Sequence, residues 1–283
     1  MEHNSSQTSG YSPLRAMPHL PWPVVVAAII LGVVGLAIHQ TKVAKAQSAP
    51  YEQAQQDRMD ERAEELLRQM STKLAAADAL TIEGRRSVDP ELLPGAQGPE
   101  VTDITVSIRR PDMLYAEARG EDDHRKMYYN GEDFSLVDIE QGLYSTAEVP
   151  GNIDVLVRRL GEEYGFNPPV ADILVADPYA HLTRNVEAGK YVGQEQVDGK
   201  TVEHLRFEED YLTWELWVDA EQKLPVKMVA MVPGMEGNPR LVAEGIEVKI
   251  DPELDEAMFT FDPAAEAEEI PMVPVGEEPS AAR

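Results

Sequence analysis

The sequence contains no cysteine among its 283 residues. The chain therefore forms no disulfide bond, it has none of the thiolates that hold most structural zinc ions, and it lacks the cysteine to which a lipoprotein anchor is attached. Attachment to a membrane would have to come from a hydrophobic segment of the chain itself.

Basic residues are scarce. The 25 lysines and arginines face 51 acidic residues, which gives a formal net charge of −26. Nucleic acids and anionic membrane surfaces are bound through basic patches, so the composition argues against both as partners. We expect a solvated acidic surface, and a high-salt environment that screens the charge is a second explanation of the composition.

A long apolar run occurs at residues 24–38. It is shorter than the roughly 20 residues that span a membrane comfortably. Residues 44–46 then read Ala-Lys-Ala, the small-x-small pattern typical of signal peptidase sites. We predict that residues 1–46 are an export signal and that the protein is periplasmic; the alternative is a retained inner-membrane anchor through residues 20–39.

Recognisable catalytic motifs are also missing. The sequence has no Gly-x-Ser-x-Gly nucleophile elbow, no phosphate-binding loop and no dinucleotide fingerprint. The histidines beyond residue 46 are not spaced as zinc ligands; they are His124, His181 and His204. We therefore predict a non-enzymatic protein without a cofactor or a metal ion.

Two acidic clusters, at residues 121–123 and 208–210, fall in predicted turns. Neither has the ligand spacing around a central glycine that a calcium loop needs, so we interpret both as solvated hairpin ends. An enzymatic alternative would need carboxylates to meet in the interior, and the candidates are Asp138, Glu203 and Glu215.

Apolar residues at spacings of three and four predict two amphipathic helices. The first follows an N-cap at Asp57 or Asp60, and its apolar residues are Ala63, Leu66, Leu67, Met70, Leu74 and Ala77. The second lies between Asn152 and Gly165, and its apolar residues are Ile153, Leu156, Val157, Leu160 and Tyr164. A short helical turn follows over 168–174, and Asp177-Pro178 breaks it.

Alternating side chains predict about ten to twelve strands, joined in part by Asn-Gly and Asp-Gly hairpin turns. The predicted strands are 80–86, 102–110, 113–119, 125–130, 134–139, 143–148, 190–197, 202–208, 212–219, 226–232, 241–250 and a short 258–261. This order predicts an α+β fold with one large, curved antiparallel sheet and helices on its concave face. We assign a flexible leader to 47–59, this domain to 60–263 and an acidic disordered tail to 264–283.

The strand at residues 213–218 carries an indole on each face. Trp214 points to one side and Trp217 to the other, because side chains alternate along a strand. A buried indole removes roughly 150–250 Å² of surface from water. We therefore expect both sheet faces to be covered here, one by the core and the other by helices, a partner or an apolar ligand.

Several segments in order resemble a family of predicted periplasmic proteins that carries a domain-of-unknown-function label and is related in fold to the lipoprotein carriers LolA and LolB. These segments are 109–120, 128–138, 151–174, 191–207, 213–229 and 259–270. The resemblance implies an incomplete β-barrel of about eleven strands with a hydrophobic cavity that helices plug or cover. The carriers of that superfamily hold acyl chains in this cavity, which for this chain is an inference by analogy of fold.

Apolar and aromatic side chains on the predicted strands and helices are the candidates for such a cavity. Met113 and Tyr115, and likewise Met127 and Tyr129, are pairs on one face of a strand, and thioethers and aromatic rings suit irregular apolar ligands. The full candidate set is Leu67, Met70, Met113, Tyr115, Met127, Tyr129, Leu156, Leu160, Trp214, Leu216 and Met228.

Two functions are compatible with this set. The first is an exported, non-catalytic carrier that binds a lipid or an acylated protein. The second is an interaction or sensor module of the cell envelope that has no lipid ligand. Any single candidate residue can also simply pack beneath the helices as part of an ordinary core.

Overall fold

The computed structural model describes residues 59–93, 96–121, 123–168 and 170–276. The predicted export segment at 1–46, with its anchor alternative at 20–39, lies outside the described residues, as does the predicted leader up to residue 58.

A twelve-stranded sheet forms the body of the protein, and two antiparallel meanders supply eleven of its strands. The first meander is β1 (Ala79–Val88), β2 (Glu100–Arg109), β3 (Met113–Arg119), β4 (His124–Tyr129), β5 (Asp133–Asp138) and β6 (Leu143–Glu148). The second is β7 (Ala188–Val197), β8 (Lys200–Glu208), β9 (Thr213–Asp219), β10 (Pro225–Met231) and β11 (Arg240–Ile250). They join because β1 pairs with β11, and a short β12 (Glu268–Glu269) runs parallel to β6 at one end.

The sheet is curved but not closed, since β12 and β7 stand at its two ends and do not pair. This confirms the predicted α+β class and the large, open, curved sheet. The near-continuous antiparallel order follows from the tight turns that the sequence marks, such as the one at Gly131, where φ is +92°.

Helices lie between and before the meanders. They are α1 (Glu61–Ala75), α2 (Ile153–Arg159), a π-helical turn that extends α2 (Leu160–Tyr164), α3 (Ala171–Leu174) and α4 (Pro178–Thr183). We call these segments together the helical cover. The N-cap of α1 is Asp60, whose carboxylate accepts hydrogen bonds from the backbone of Arg62 and Ala63.

The hydrophobic core lies between the helical cover and one face of the sheet, which we call the inward face. Alternation along each strand sends every second side chain there. Side chains with less than 2% exposure include Leu80, Ile82, Tyr129, Phe134, Phe207 and Trp214. From α1, Leu66, Leu67, Met70 and Leu74 are fully buried against this face.

The end of the chain differs from the prediction. The predicted short strand at 258–261 is a 3₁₀ turn, Glu256–Phe259, capped by the Asp255 carboxylate. This turn places Phe259 in a buried position beneath the Arg109 guanidinium. Phe261 then packs against aromatic side chains of the outer face of the sheet, which is the face opposite to the inward one. A 3₁₀ turn needs no partner strand for its backbone, and it still allows both phenylalanine rings to pack.

Residues 264–276, which the acidic composition assigns to a disordered tail, instead lie along the edge of the sheet. Glu268 and Ile270 donate backbone hydrogen bonds to the carbonyls of Gly142 and Tyr144. Val275 then donates to the carbonyl of Glu163 in the helical cover, at 2.8 Å. The backbone pairing stabilises this segment in spite of its polar side chains. Residues 277–283 lie outside the described residues.

The break predicted at Asp177-Pro178 is at the same time the start of α4. Asp177 caps the helix by accepting a hydrogen bond from the backbone of Ala180, and Pro178 occupies the first helical turn. The proline ends one helical turn and begins the next because its missing N–H is harmless only there.

Candidate functional site

Nine of the eleven candidate ligand residues meet on the inward face or on the helices that cover it. Each of them is at most 4% exposed, so together they form one continuous apolar surface. The nine are Leu67, Met70, Met127, Tyr129, Leu156, Leu160, Trp214, Leu216 and Met228. In the closed arrangement that the structure describes, the helices themselves fill the hollow of the sheet.

The other two candidates, Met113 and Tyr115, lie on the outer face. Leu114 between them is fully buried in the core, and alternation along β3 sends its neighbours to the opposite side. Tyr115 packs edge-on against Tyr128 with ring centroids 5.4 Å apart, and Tyr128 in turn contacts Phe261. Alternation in the sequence shows that Met113 and Tyr115 share a face of the strand. It does not show which of the two faces the helices cover.

The second indole of β9 is also buried on the outer face, although no helix of the described residues covers it. Trp217 stacks on the His204 ring at 4.2 Å, and its Nε1 donates to Glu195 at 3.1 Å. The Lys227 ammonium lies 5.1 Å from the ring centroid. Neighbouring strands thus supply the cover that was expected from helices, a partner or an apolar ligand.

Polar contacts hold the two ends of α1 on the sheet. At its start, Arg62 donates to the carboxylate of Glu203, which also accepts from the Tyr191 hydroxyl at 2.6 Å. Burial alone would raise the pKa of Glu203, but hydrogen bonds from Tyr191 and Gln194 and the charge of Arg62 outweigh burial and lower this pKa. At its end, the Lys73 ammonium donates to the carbonyl of Gln222 at 2.6 Å.

The segment of the cover from Leu160 to Leu174 is irregular. It begins as a π-helical turn, and its Val170 adopts the left-handed conformation with φ of 54°. A β-branched residue rarely adopts that conformation, and both features are frequent at functional sites. Phe166 within this segment packs over Phe134 of the sheet with ring centroids 6.0 Å apart.

Near α3 and α4 lie two carboxyl groups that sequence reasoning missed, the buried Asp172 of α3 and the half-buried Glu209. Asp172 is 4% exposed and contacts the His181 ring at 3.0 Å, while Glu209 accepts from the Trp214 indole at 2.9 Å. Burial is the main cause that raises the pKa of both carboxyl groups, against the hydrogen bonds that lower it. Nothing in the local sequence pattern distinguishes these acids from surface acids.

A small cavity of about 20 Å³ lies between the sheet and the cover. Its walls are Arg86, Ala116, Ala118, Asp123, Arg125, Met127 and Asn167. A larger open groove of about 510 Å³ runs over the surface between α1 and α4, with Ser71 and Ala75 on one side and Pro178 on the other. Sequence analysis identified neither, because each is made by elements far apart in the chain.

The carboxylates of the enzymatic alternative do not come together. Glu203 is on the inward face, Glu215 is on the outer face beside His204, and Asp138 accepts hydrogen bonds from Gln141. Within the described ranges there is no group of three or more histidine and acidic side chains that could hold a metal ion. No helix among the described residues is both long and apolar enough to span a membrane.

A comparison with solved structures finds similar folds at low sequence identity. An uncharacterised conserved protein from Thermus thermophilus has a TM-score of 0.46 and 9% identity, over 75% of this chain and 99% of that one. The lipoprotein LppX from Mycobacterium tuberculosis has a TM-score of 0.42 and 11% identity, over 69% and 98%. A LolA superfamily protein from Nitrosomonas europaea has a TM-score of 0.32 and 13% identity, over 70% and 97%.

No curated protein matches this sequence. A family model, in contrast, matches residues 63–273, which include the whole sheet and nearly all of the helical cover. The model is DUF2092, described as a predicted periplasmic protein. The resemblance noted in the sequence is thereby confirmed, and the chain belongs to the DUF2092 family of predicted periplasmic proteins.

Proposed function

We propose that this protein is a non-catalytic periplasmic carrier that binds a lipid, or the acyl group of a lipidated protein, on the inward face of its sheet. The ligand takes the place of side chains of the helical cover. Its contacts are then with inward residues such as Met127, Tyr129, Trp214, Leu216 and Met228, which now touch the helices.

The observation that carries this proposal is the irregular segment from Leu160 to Leu174. The π-helical turn and the left-handed Val170 lie on either side of Phe166, the part of this segment that packs over Phe134. The left-handed conformation of a β-branched residue costs on the order of 1–3 kcal/mol, and such conformations cluster at ligand clamps and switch regions, as π-helical turns cluster at functional sites. Strain in the closed state lowers the free energy needed to open the cover.

An acyl chain can offset the loss of the helix contacts. Leu67, Met70, Leu156 and Leu160 are aliphatic or thioether side chains that meet the sheet without directed polar contacts. Burial of one methylene group contributes about 0.8 kcal/mol whether it belongs to a leucine or to a ligand. Exchange of one set of methylenes for another is therefore close to balanced, which suits reversible loading.

The two strand tryptophans offer a test with a built-in control, because Trp214 faces inward and Trp217 faces outward. Two single-tryptophan forms of the full chain are compared, one with Trp22→Phe and Trp217→Phe, the other with Trp22→Phe and Trp214→Phe. A brominated stearic acid, which quenches an indole only on contact, is added without detergent. Circular dichroism establishes that both forms are folded.

We expect saturable quenching of Trp214 and little quenching of Trp217. The substitution of Trp22 removes any signal from binding to the apolar N-terminal run. Absence of quenching at Trp214 would refute the carrier function, and equal quenching of both indoles would place the fatty acid on the surface instead.

The alternative function is an envelope interaction module without a lipid ligand. The filled hollow favours it, since nine candidate residues at most 4% exposed leave the inward face without room for a ligand in the closed arrangement. This alternative expects no quenching at Trp214 together with recovery of one specific protein partner by crosslinking in the periplasm.

A further inference from the structure

The inward face changes character along the strands. On β1 and β2 it carries Leu80 opposite Ile108 and then Ile82 opposite Val106, but further along it carries Arg86 opposite Thr102. On β4 and β5 the same change brings Arg125 opposite Asp138. The apolar surface beneath the helices therefore gives way to a polar layer, which we call the polar end; beyond it on β1, Val88 is again buried and apolar.

The cavity of about 20 Å³ lies at the boundary between these two regions. Ala116 and Met127 belong both to its wall and to the hydrophobic core, whereas Arg86 and Arg125 line its other side. Asn167, from the loop after the π-helical turn, closes it from the cover. A polar atom placed here would be joined directly to the apolar surface that we propose for an acyl chain.

Two buried polar groups at the polar end have no hydrogen-bond partner among the described residues. Arg86 is 6% exposed and its Nη2 donates to Glu100 at 2.5 Å, but its Nε has no acceptor. Thr102, its cross-strand neighbour, is fully buried and its hydroxyl is also unpaired. Each unpaired buried group costs about 1–3 kcal/mol, so two adjacent groups of this kind call for an acceptor oxygen, from a water molecule or from a ligand.

The ion pairs around the cavity indicate whether the group that binds there is charged or neutral. Arg86 already pairs with Glu100, and Arg125 pairs with Asp123 at 2.8 Å. An additional full charge would therefore disturb existing ion pairs, while a neutral oxygen would only accept the free hydrogens. A volume of about 20 Å³ is enough for one polar group of the size of a water molecule.

We propose that the polar end is a subsite for the acyl carbonyl oxygen of an ester or amide, which accepts hydrogen bonds from Arg86 Nε and the Thr102 hydroxyl. The inference rests on the proposed carrier function and deepens it. It makes the protein selective for acylated molecules over plain hydrocarbons, and it fixes which end of the ligand reaches the polar end.

The experiment measures how methyl palmitate, an alkane of the same length and an N-palmitoyl dipeptide compete with brominated stearic acid for Trp214 in the full chain. We expect roughly tenfold or stronger preference for the two carbonyl compounds, the factor that corresponds to one hydrogen bond from a charged donor. Preference for the ester over the amide, or the reverse, distinguishes a lipid from an acylated protein as the source.

Two variants assign the preference to the polar end. Thr102→Val removes the hydroxyl with little change of shape, and Arg86→Lys keeps a charge for Glu100 but removes Nε. Arg86→Lys is expected to reduce the preference to below about threefold, because it removes the charged donor, and Thr102→Val to reduce it by a smaller factor, because the hydroxyl is a neutral donor. The matched control is Thr81→Val on the outer face of β1, whose hydroxyl already bonds Ser107 at 3.0 Å and which should leave the preference intact.

Three results would overturn the inference, and they differ in what they say about the carrier function. Equal affinity for ester and alkane means that the cavity holds water alone, while the carrier function stands. An unchanged preference in both variants places the recognition elsewhere. Failure of every compound to compete removes the carrier function together with this subsite.

Discussion

Leu67 provides the most direct test of how α1 is docked. Its side chain is fully buried between α1 and the inward face, within the same core cluster as Met70 and Leu216. Leu67→Ala leaves helix propensity intact, because alanine is the best helix former, so any loss of stability reports on packing alone. The matched control is Thr72→Ala, an exposed position of the same helix.

The expected magnitude follows from what is removed. Three carbon atoms leave the core, which at about 0.8 kcal/mol each amounts to about 2.4 kcal/mol of transfer free energy. The cavity that remains adds a further term, so that buried Leu→Ala changes cost about 2–5 kcal/mol in total. We expect about 3 kcal/mol for Leu67→Ala and less than about 0.5 kcal/mol for Thr72→Ala.

Urea unfolding monitored by tryptophan fluorescence measures both variants. The midpoint should fall for Leu67→Ala while the slope m stays constant, because the surface exposed on unfolding hardly changes. A loss below about 0.5 kcal/mol would contradict the docking of α1 that the structure describes, since an undocked helix has no cavity to create.

Two further predictions concern buried polar groups. The Tyr129 hydroxyl donates to the carbonyls of Val149 and Gly151, so Tyr129→Phe should cost about 1–3 kcal/mol of unfolding free energy. Tyr128→Phe, on the outer face and without a hydroxyl hydrogen bond among the described residues, should cost far less in the same urea titration; equal losses would contradict the assignment of faces. The pKa of Asp172 is raised mainly by burial, and its charged or titratable neighbours are His181, Arg184 and Glu209. The protonated form of Asp172 therefore contributes stability at low pH, and this contribution is lost as the pH rises through this pKa. Asp172→Asn, which resembles the protonated form, should therefore gain stability relative to the unsubstituted protein as the pH rises from about 4, and a pH-independent difference in urea unfolding would rule this out.

The shifted pKa values of the carboxyl groups also bear on how the helical cover is held on the sheet. Asp172 is in α3 and Glu209 follows β8, so their shared environment links the cover to the sheet. Because the pKa values of Asp172 and Glu209 are raised, their protonated forms contribute stability to the fold at low pH, whereas the lowered pKa of Glu203 contributes stability that is lost as the pH falls. The contributions of these carboxyl groups to folding stability therefore depend on pH in opposite directions.

Local signals in the sequence were enough to determine most of the elements. The three-and-four spacing of apolar residues located α1 and left its N-cap at Asp57 or Asp60, of which the structure has Asp60. The Asn152 and Gly165 signals bounded α2 with its π-helical turn. Strand alternation and Asn-Gly or Asp-Gly turns located the eleven strands of the two meanders. These features depend on neighbours within a few residues, and the physics of capping, turns and alternation is local.

Tertiary structure alone decided which face of each strand became the interior. Met113 and Tyr115 have the composition of a binding surface, yet the helices cover the opposite parity, and the 3₁₀ turn and Phe261 cover theirs. The polar end could not be foreseen either, because Arg86, Thr102 and Asn167 are joined only by the pairing of β1 with β2 and by the return of the chain after α2. Sequence periodicity defines two faces for a strand, but burial of one of them is a property of contacts between residues far apart in the chain.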